Sequence, residues 1–271
     1  MLNFLTKKQK LFLGLIAGLV LLNIFTWQEV FVLAQEGYLE VNVLDIGQGD
    51  AIFIKTPSQR NILIDGGPSS LVAQKVASRL PFWEKSLDLV VLTHPDQDHL
   101  MGLFSVLKKY KIDYILWTGM VRDGVNYERW IETLKQKQKE GSQIIIVDEK
   151  TKITTGGVRI QTLNPLENLE GKYFGKEGNE TGIVWRASYG KKSFLFMADT
   201  GFKVEESLIK QKINLSADVL KVGHHGSKYS TSEEFLRVVN PDLAVISVGK
   251  NSYGHPTQEV LDRLADYGIK I

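Results

Sequence analysis

The 271-residue sequence contains no cysteine. This absence excludes disulfide bonds, zinc sites built from thiolates and a cysteine nucleophile. The net charge is also small, because 33 lysine and arginine residues stand against 31 aspartate and glutamate residues, which gives a formal charge of +2. A charge of this size excludes the strongly basic footprint of a typical duplex-DNA binder. The 43% hydrophobic and 24% charged shares exclude a disordered chain and a protein with many membrane spans.

Histidine is scarce as well, with five residues in the chain. They lie at positions 94, 99, 224, 225 and 255, and at each place loop-forming residues follow an apolar run. A loop that follows a strand can hold several side chains at one point above a rigid base. All five histidines are therefore candidates for chemistry.

One long hydrophobic run is present, from Leu11 to Trp27, directly after three lysines. A helix of about 17 residues spans ~25 Å, slightly less than the ~30 Å hydrocarbon core of a bilayer. Two interpretations stay open: an uncleaved single-span anchor, and a signal peptide cleaved after Ala34. A buried soluble helix is disfavoured because the run has no polar face. We therefore predict a membrane anchor or signal peptide at 1–34. Residues 35–271 then lie outside the cytoplasm, attached to the cell membrane or secreted.

The rest of the chain is predicted to form one domain, in which early strands are followed by strands that alternate with helices. Strands are predicted at 39–46, 51–55, 61–64, 87–93, 112–117, 143–147, 158–163, 183–189, 193–197, 218–222 and 243–248. Helices are predicted at 71–80, 100–110, 127–140, 202–212 and 257–267, with another that starts near Thr231. This mixture favours an α/β (α+β) fold in which helices cover the sheets.

The strongest chemical motif is the segment 93–99, THPDQDH, which follows an apolar strand. It offers four potential ligands within six residues: His94, Asp96, Asp98 and His99. Imidazole and carboxylate ligands suit divalent first-row metals, and burying two unpaired carboxylates would be prohibitive. A surface turn of satisfied polar residues is the alternative.

Three more strand ends carry candidate ligands. His224 and His225 follow one strand, and a histidine pair flanked by glycines favours a ligand over a bland loop. Asp199 follows another and would bridge two metals, with a turn or N-cap role as the alternative. Asp65 follows a third and is expected to orient a ligand or to hold the turn.

Four longer blocks resemble a known family. They are DIGQGDA at 45–51, THPDQDH at 93–99, LKVGHHGSKYSTS at 220–232 and YGHP at 253–256. With Asp65 and Asp199, they resemble the metallo-β-lactamase superfamily. The narrower resemblance is to the extracellular hydrolase domain of ComEC-type DNA-uptake (competence) proteins. It implies a four-layer αββα sandwich, here preceded by one N-terminal apolar helix, with metals where the strand ends converge. It also implies supporting positions behind the ligands for Asp50 and Gln48.

The resemblance further implies a set of six metal ligands: His94, Asp96, Asp98, His99, Asp199 and His224. Asp96 stands where the wider superfamily has a second histidine. Asn179 occupies the stretch that matches another missing histidine, as it does in the ComEC-like branch. Three nitrogens and three carboxylates are a harder ligand set than a histidine-rich zinc site. Two divalent ions, Mn²⁺ or Zn²⁺, are therefore expected, with a preference for Mn²⁺.

These ligands predict a hydrolytic mechanism. Two ions about 3.5–4 Å apart would hold a bridging hydroxide at neutral pH and polarise the electrophile. Asp98 is expected to lie closest to that hydroxide and to orient it. His225 or His255 would protonate the leaving oxygen, because histidine is the usual acid near pH 7. His255 could equally orient its own turn.

A substrate site is predicted beside the histidine pair. Polar residues that lead into a helix N-terminus predict a phosphate cradle: Ser227, Lys228, Ser230 and Thr231. Asn179 is a further candidate for binding the substrate. A helix cap formed by Thr231 and Glu234 is the alternative. Single-stranded DNA would also need aromatic platforms, for which the candidates are Trp117, Tyr127, Trp130 and Tyr173, although most such aromatics belong to the core.

The sequence therefore predicts a metal-dependent phosphodiesterase or nuclease that acts on extracytoplasmic DNA, either single-stranded or in processing at the membrane. A metal-dependent lactonase or amidase and an inactive DNA-uptake accessory binding module are the alternatives. A separate DNA-uptake channel is an expected partner, because one anchor cannot form a channel.

Overall fold

The computed structural model describes residues 6–34, 37–175 and 178–271. The predicted boundary after residue 34 borders residues 35–36, which lie outside the described residues. Packing divides the chain into two compact units, Met1–Tyr38 and Leu39–Ile271.

The first unit contains a single described helix, α1 (Lys7–Ala34). Its stretch Lys7–Gln28 has 22 residues and a mean hydropathy of 1.9. At 1.5 Å per residue this stretch is about 33 Å long, enough to cross a hydrocarbon core of ~30 Å. The predicted N-terminal apolar helix is confirmed. Its length and composition suit an anchor and a signal sequence equally.

The second unit is built on two six-stranded sheets. The first contains, in spatial order, β1 (Glu40–Val43), β2 (Ile52–Lys55), β3 (Asn61–Ile64), β4 (Ser86–Val91), β5 (Lys111–Trp117) and β6 (Gln143–Ile146). The second contains β7 (Lys152–Thr155), β8 (Val158–Asn164), β9 (Val184–Tyr189), β10 (Lys192–Phe196), β11 (Val219–Lys221) and β12 (Leu243–Val245). Strands β3 to β6 are mutually parallel, as are β10 to β12.

Helices cover the outer face of each sheet. On the first sheet they are α2 (Leu71–Ala77), α4 (Leu103–Lys109) and α5 (Val125–Lys139), while the one-turn α3 (Gln97–Leu100) follows β4. On the second sheet they are α6 (Phe202–Lys210), α7 (Glu233–Val239) and α8 (Gln258–Asp266). Alternation along β3 sends Leu63 into the outer core and Ile62 and Ile64 into the core between the sheets. The predicted four-layer αββα sandwich is confirmed.

The structure differs locally from the predicted elements. The predicted helix at 100–110 is broken at Gly102, whose N–H donates to the Gly67 carbonyl at 2.9 Å. A Cβ at Gly102 would lie 1.8 Å from the Gly66 oxygen, so this approach between backbones requires glycine. Strand β7 was not predicted, because its sequence KITT is short and largely polar. The cap of α7 is Ser232, whose Oγ accepts from the Phe235 N–H at 3.2 Å, and not Thr231.

Asp218 fastens β10 to β11 through a dense set of hydrogen bonds. Its carboxylate accepts from the Ser193 N–H and hydroxyl at 2.8 and 2.9 Å and from Lys192 Nζ at 2.8 Å. The Lys192 bond, with the Ser193 bonds, lowers the pKa of Asp218 to about 2. A carboxylate with a lowered pKa stabilises the folded state fully above its unfolded pKa and loses that contribution as the pH falls toward 2.

We expect Asp218→Asn to lower the free energy of unfolding at pH 7 by about 1 kcal/mol, since solvent screening reduces the full effect of the pKa shift. The loss should shrink as the pH falls from 4 toward 2, because the wild-type carboxylate then becomes protonated. Thermal unfolding of the detergent-solubilised chain across this range measures both. Exposed Asp262→Asn is the matched control, and equal melting temperatures for the Asp218 variant and the wild type at pH 7 would contradict the expectation.

Candidate metal centre

Four loops bring the candidate ligands together at one edge of the sandwich. Two of them follow β3 and β4, which are parallel neighbours in the first sheet. The other two follow β10 and β11, which are parallel neighbours in the second. The carboxyl ends of parallel strands share an edge, and the loops that leave them form the crevice where α/β proteins place their sites.

Four side chains form a compact group: Asp98, His99, Asp199 and His225. One nitrogen or carboxylate oxygen from each lies within 4.8 Å of the others. Asp199 is central, with its two oxygens 3.2 Å from His99 Nε2 and 3.2 Å from His225 Nε2. His225 Nε2 also lies 3.3 Å from Asp98. The group thus combines residues from both sheets.

The chemistry of these atoms fits a divalent cation. His94 Nε2, His99 Nε2, His225 Nε2 and one Asp199 oxygen are buried and have no hydrogen-bond partner among the described residues. Leaving a buried polar atom without a partner costs about 1–3 kcal/mol. Imidazole nitrogens and carboxylate oxygens are the ligands that first-row metals take. A cation would satisfy these atoms together, so the residues present fit a metal site.

The opposite ring nitrogens of two histidines are fixed by hydrogen bonds. His99 Nδ1 lies 2.8 Å from Asp65, whose carboxylate also accepts from the Thr93 N–H at 2.8 Å and hydroxyl at 2.7 Å. His225 Nδ1 lies 2.9 Å from the Ser247 carbonyl oxygen. Such partners set the tautomer and turn the free nitrogen toward the metal position. Asp65, predicted to orient a ligand or hold its turn, thus contacts His99 and the backbone of Thr93.

Burial and neighbouring charges shift the pKa values of the side chains in this compact group. Burial lowers the pKa of His225, but Asp199, Asp98 and Asp50 outweigh this effect and raise it to about 9. Burial likewise opposes protonation of His99, but Asp199 and Asp65 raise its pKa well above the ordinary value. Burial would raise the pKa of Asp199, yet the two histidines hold it well below its usual range. A cation that binds here must displace protons.

A second pair of candidate ligands lies beside this group. The His94 ring centroid is 4.2 Å from that of His99, and His94 Nε2 is 3.8 Å from one oxygen of Asp96. The other Asp96 oxygen accepts a hydrogen bond from Arg122, which follows β5. Burial, then the charge of His99, lowers the pKa of His94, which favours the neutral form that binds metals. Asp96 thus lies between His94 and an arginine.

The structure distinguishes the two adjacent histidines, which sequence reasoning could not. Both have left-handed backbone, with φ of 46° at His224 and 54° at His225. Such conformations are uncommon outside glycine and cluster at functional sites. His225 points into the buried group, whereas His224 lies beside Asn179, with 3.3 Å between Nε2 and Nδ2. This geometry favours His225 for the metal-binding role assigned to His224 from sequence.

Asp50 lies behind His225 in a buried ion pair. One oxygen of Asp50 lies 2.9 Å from Lys221 Nζ and the other 3.6 Å from His225 Nδ1. Lys221 Nζ also donates to the Val222 carbonyl at 3.0 Å. Asp50, for which a supporting role was predicted, thus lies between Lys221 and His225. Lys221 was missed, although a lysine inside the apolar strand DVLKV is a recognisable signal, because a buried lysine needs a partner.

The predicted phosphate cradle is not presented to a substrate. Ser227, Ser230 and Thr231 are buried, and Ser230 Oγ donates to the Gly223 carbonyl at 2.8 Å. The N–H groups of Thr231 and Ser232 are taken by Glu205, at 2.5 and 2.8 Å. These polar groups shape the loop that carries the histidines. Of the four cradle residues, Lys228 is the exposed one.

A cleft of about 780 Å³ opens at this edge. Its lining includes four residues predicted from sequence, Gln48, Asp96, Asp98 and Tyr127. Tyr253, of the YGHP block, also lines it, together with Arg122, which the sequence did not single out. Gln48 Oε1 also accepts from the Gly249 N–H at 3.3 Å. Arg122 could have been sought from its place after β5, because that strand ends at the same edge.

Aromatic residues near the cleft differ from the predicted set. Trp117 and Trp130 are buried in the core beneath α5 and cannot stack on a substrate, whereas Tyr127 lines the cleft and Tyr173 is exposed. Tyr253 is 72% exposed and stacks on His255, with 5.8 Å between ring centroids.

His255 lies next to the compact group but is not one of its four members. Its ring centroid lies 5.4 Å from that of His224, and its buried Nδ1 has no hydrogen-bond partner within the described residues. Burial, followed by the charges of His224 and His225, lowers the pKa of His255. The side chain is thus a neutral imidazole near pH 7.

Comparison with known proteins places these features in a family. The family model described as Metallo-beta-lactamase superfamily matches residues 44–250. ComE operon protein 3 of Bacillus subtilis is 34% identical over 260 residues, which cover 88% of this chain and 32% of that protein. Competence protein ComA of Neisseria gonorrhoeae is 31% identical, covering 87% and 31%. The chain thus spans about a third of the length of these relatives.

Solved structures share the fold at low identity. YhfI from Bacillus subtilis, a metallo-beta-lactamase fold protein, superposes with a TM-score of 0.56 at 15% identity, covering 85% of this chain and 93% of that one. CmlA, a diiron beta-hydroxylase from Streptomyces venezuelae, gives 0.53 at 15% identity, covering 88% and 52%. The chain belongs to the Metallo-beta-lactamase superfamily, with the fold and candidate ligands of a metal-dependent hydrolase.

Proposed function

We propose that this protein is a metal-dependent phosphodiesterase that cleaves DNA outside the cytoplasm while held at the membrane by α1. One observation carries the proposal: buried atoms of His99, Asp199 and His225 that lack a hydrogen-bond partner among the described residues converge beside an open cleft lined by Arg122. A cation and a guanidinium around one cleft suit a phosphodiester, whose non-bridging oxygens gain charge during attack. The competence names of the relatives support DNA as the substrate.

Two ion positions are proposed, for Mn²⁺ or Zn²⁺. Asp98, His99, Asp199 and His225 would hold one ion, and His94 with Asp96 would contribute to holding the other. When bound, such ions supply Lewis acidity toward a phosphoryl oxygen and make water nucleophilic at neutral pH.

Asp98 is the side chain assigned to accept a proton from the attacking water. Asp98 lines the cleft. Burial raises its pKa, but His225 and His99 outweigh burial and lower it, so the carboxylate is ionised at neutral pH. We assign it to orient the attacking water and accept its proton while the new P–O bond forms. As the P–O bond to the leaving sugar breaks, that oxygen takes a proton from water in the open cleft, because the lowered pKa of His255 makes its neutral ring a poor donor.

The shape of the cleft suits a polymer. It is open at the surface and holds about 780 Å³, and Tyr253 offers an aromatic face at its rim. Base stacking on an aromatic side chain contributes ~1–3 kcal/mol per base and tolerates any sequence. A small net charge does not prevent this mode of binding, because a single strand needs only a local basic groove.

The proposal is tested with the full chain in detergent, supplied with Mn²⁺, Zn²⁺ or a chelator. The substrates are linear single-stranded DNA, linear double-stranded DNA, bis-nitrophenyl phosphate and a lactone. Metal-dependent cleavage of DNA and of the phosphodiester supports the proposal. Turnover of the lactone alone points to the carbonyl hydrolase instead, and metal binding without any turnover points to a binding module. Either result overturns the phosphodiesterase.

Arg122 is expected to act on the substrate phosphate. Arg122→Ala should lower kcat/KM for DNA by roughly 10- to 100-fold, because a charge-assisted hydrogen bond contributes about 1.5–3 kcal/mol. Arg122→Lys should recover part of this loss, since lysine keeps the charge without the planar fork. Steady-state kinetics and metal content measure the effect, with exposed Arg159→Ala as the control. Loss of metal from Arg122→Ala would instead assign Arg122 to holding Asp96.

A further inference from the structure

An exposed aromatic pair lies in the turn before β4. Phe82 is 83% exposed and Trp83 58%, and their rings meet edge to face with centroids 4.8 Å apart. The turn is well anchored, since Leu80 and Leu87 on either side are buried in the core. Two adjacent large apolar side chains held out into solvent on an ordered turn mark a contact surface.

Basic side chains surround this pair. The Lys111 N–H donates to the Lys85 carbonyl at 2.9 Å, which sets the start of β5 beside the aromatic turn. The segments 79–85 and 108–111 together carry five exposed basic residues: Arg79, Lys85, Lys108, Lys109 and Lys111. Their one acidic residue, Glu84, accepts hydrogen bonds from the Ser86 N–H and hydroxyl. We refer to Phe82, Trp83 and these five basic residues as the aromatic–basic edge.

Topology sets this edge opposite the metal centre. Strands β1, β3, β4, β5 and β6 all run in one direction, because β2 is antiparallel to both of its neighbours. The aromatic–basic edge lies at their amino ends, whereas the candidate ligands follow the carboxyl ends. Glu40, at the start of β1, lies on the same amino edge, three strand positions from β4, or roughly 14 Å. The polypeptide that follows α1 therefore enters the domain at this edge.

We propose that the aromatic–basic edge docks on an anionic phospholipid surface. The inference rests on the proposed membrane attachment through α1. Tryptophan and other aromatic rings favour the level of the lipid headgroups, and clustered lysines and arginines are attracted to anionic lipids. Both features occur together at the edge where the chain arrives from its apolar helix. Docked in this way, the domain would turn the metal cleft away from the bilayer, where a long DNA strand can enter it.

The absence of native cysteine makes a direct test available. A single cysteine replaces exposed Pro81, beside the aromatic pair, and is labelled with an environment-sensitive fluorophore in the full chain. A matched label at Val238→Cys, exposed on α7 over the other sheet, is the control. In vesicles of phosphatidylcholine and phosphatidylglycerol, the label at 81 should shift its emission to the blue. Its quenching by acrylamide should be several-fold weaker than that of the label at 238.

Two further arms separate the contributions. Adding Phe82→Ser and Trp83→Ser to the Pro81→Cys chain should restore quenching to the level of the control. Vesicles of phosphatidylcholine alone should also weaken the protection, because the basic residues then have no anionic partner. Protection that survives both changes would overturn the proposed chemistry of docking.

The outcome separates docking from the function proposed above, because hydrolysis is not measured. Equal quenching of the two labels in chains that float with the vesicles would overturn docking and leave the phosphodiesterase and the anchor intact. Chains that fail to float with the vesicles would overturn both anchoring and docking.

Discussion

Asp199→Ala should remove bound metal and abolish hydrolysis. Asp199 is buried, and its two oxygens lie 3.2 Å from the Nε2 atoms of His99 and His225 at the centre of the compact group. Removing it takes away the main negative charge that holds a cation there. Metal ions contribute several kcal/mol of charge stabilisation in the transition state, so the loss corresponds to roughly 10³-fold or more in kcat.

Metal content by mass spectrometry and turnover of a phosphodiester measure the two effects on the same sample. Exposed Asp266→Ala serves as the matched control for loss of a carboxylate. Melting temperature separates loss of metal from loss of fold, since a folded, metal-free variant is the expected product. An Asp199→Ala protein that retains two equivalents of metal and wild-type turnover would refute the proposed centre.

His225→Ala and His224→Ala should differ sharply, although the residues are neighbours. His225 Nε2 faces Asp98 and Asp199 at 3.3 and 3.2 Å, and its Nδ1 is fixed by the Ser247 carbonyl. Loss of a hydrogen-bonded partner behind a ligand typically lowers metal affinity 10- to 100-fold. Loss of the ligand itself should therefore cost His225→Ala more than ~100-fold. His224→Ala should keep its metal, because that ring lies against Asn179 and outside the compact group.

The two substitutions form a matched pair. Both positions have left-handed backbone, so alanine meets the same kind of backbone cost at each. Equilibrium dialysis against Mn²⁺ and Zn²⁺ gives the affinities. If His224→Ala lost the metal while His225→Ala retained it, the assignment made from sequence would be restored and the geometric one rejected.

Much of the fold followed from patterns that are local in the chain. Alternating apolar residues predicted most strands, and Gly47-Gln48-Gly49 marked a turn that the structure uses for close approach. A Cβ at Gly49 would lie 2.1 Å from the Asp98 carbonyl oxygen. The DIGQGD block therefore packs closely against the loop that carries Asp98. The break at Gly102 was missed, because it arises from contact with Gly66, which lies 36 positions earlier in the chain.

The site also brings together residues of opposite charge that are far apart in the sequence. Arg122 and Asp96 lie 26 positions apart, and Lys221 and Asp50 lie 171 apart. The partners of Arg122 and Lys221 could not be recognised from their own segments. Neither pair follows from spacing, because the partners come from different strands, and Lys221 and Asp50 come from different sheets.

The sequence by itself determined the type of chemistry and the fold family. Histidines and carboxylates after apolar strands, without any cysteine, limit the site to a hard, mixed ligand set, and four ordered blocks indicate the family. Only the tertiary structure decided which histidine of the pair points into the compact group. It also decided which serines form hydrogen bonds inside the loop, and that an arginine lines the cleft. The reason is physical: the rings of His224 and His225 lie at 69° to each other, and their directions are set by packing between two sheets whose strands are distant in sequence.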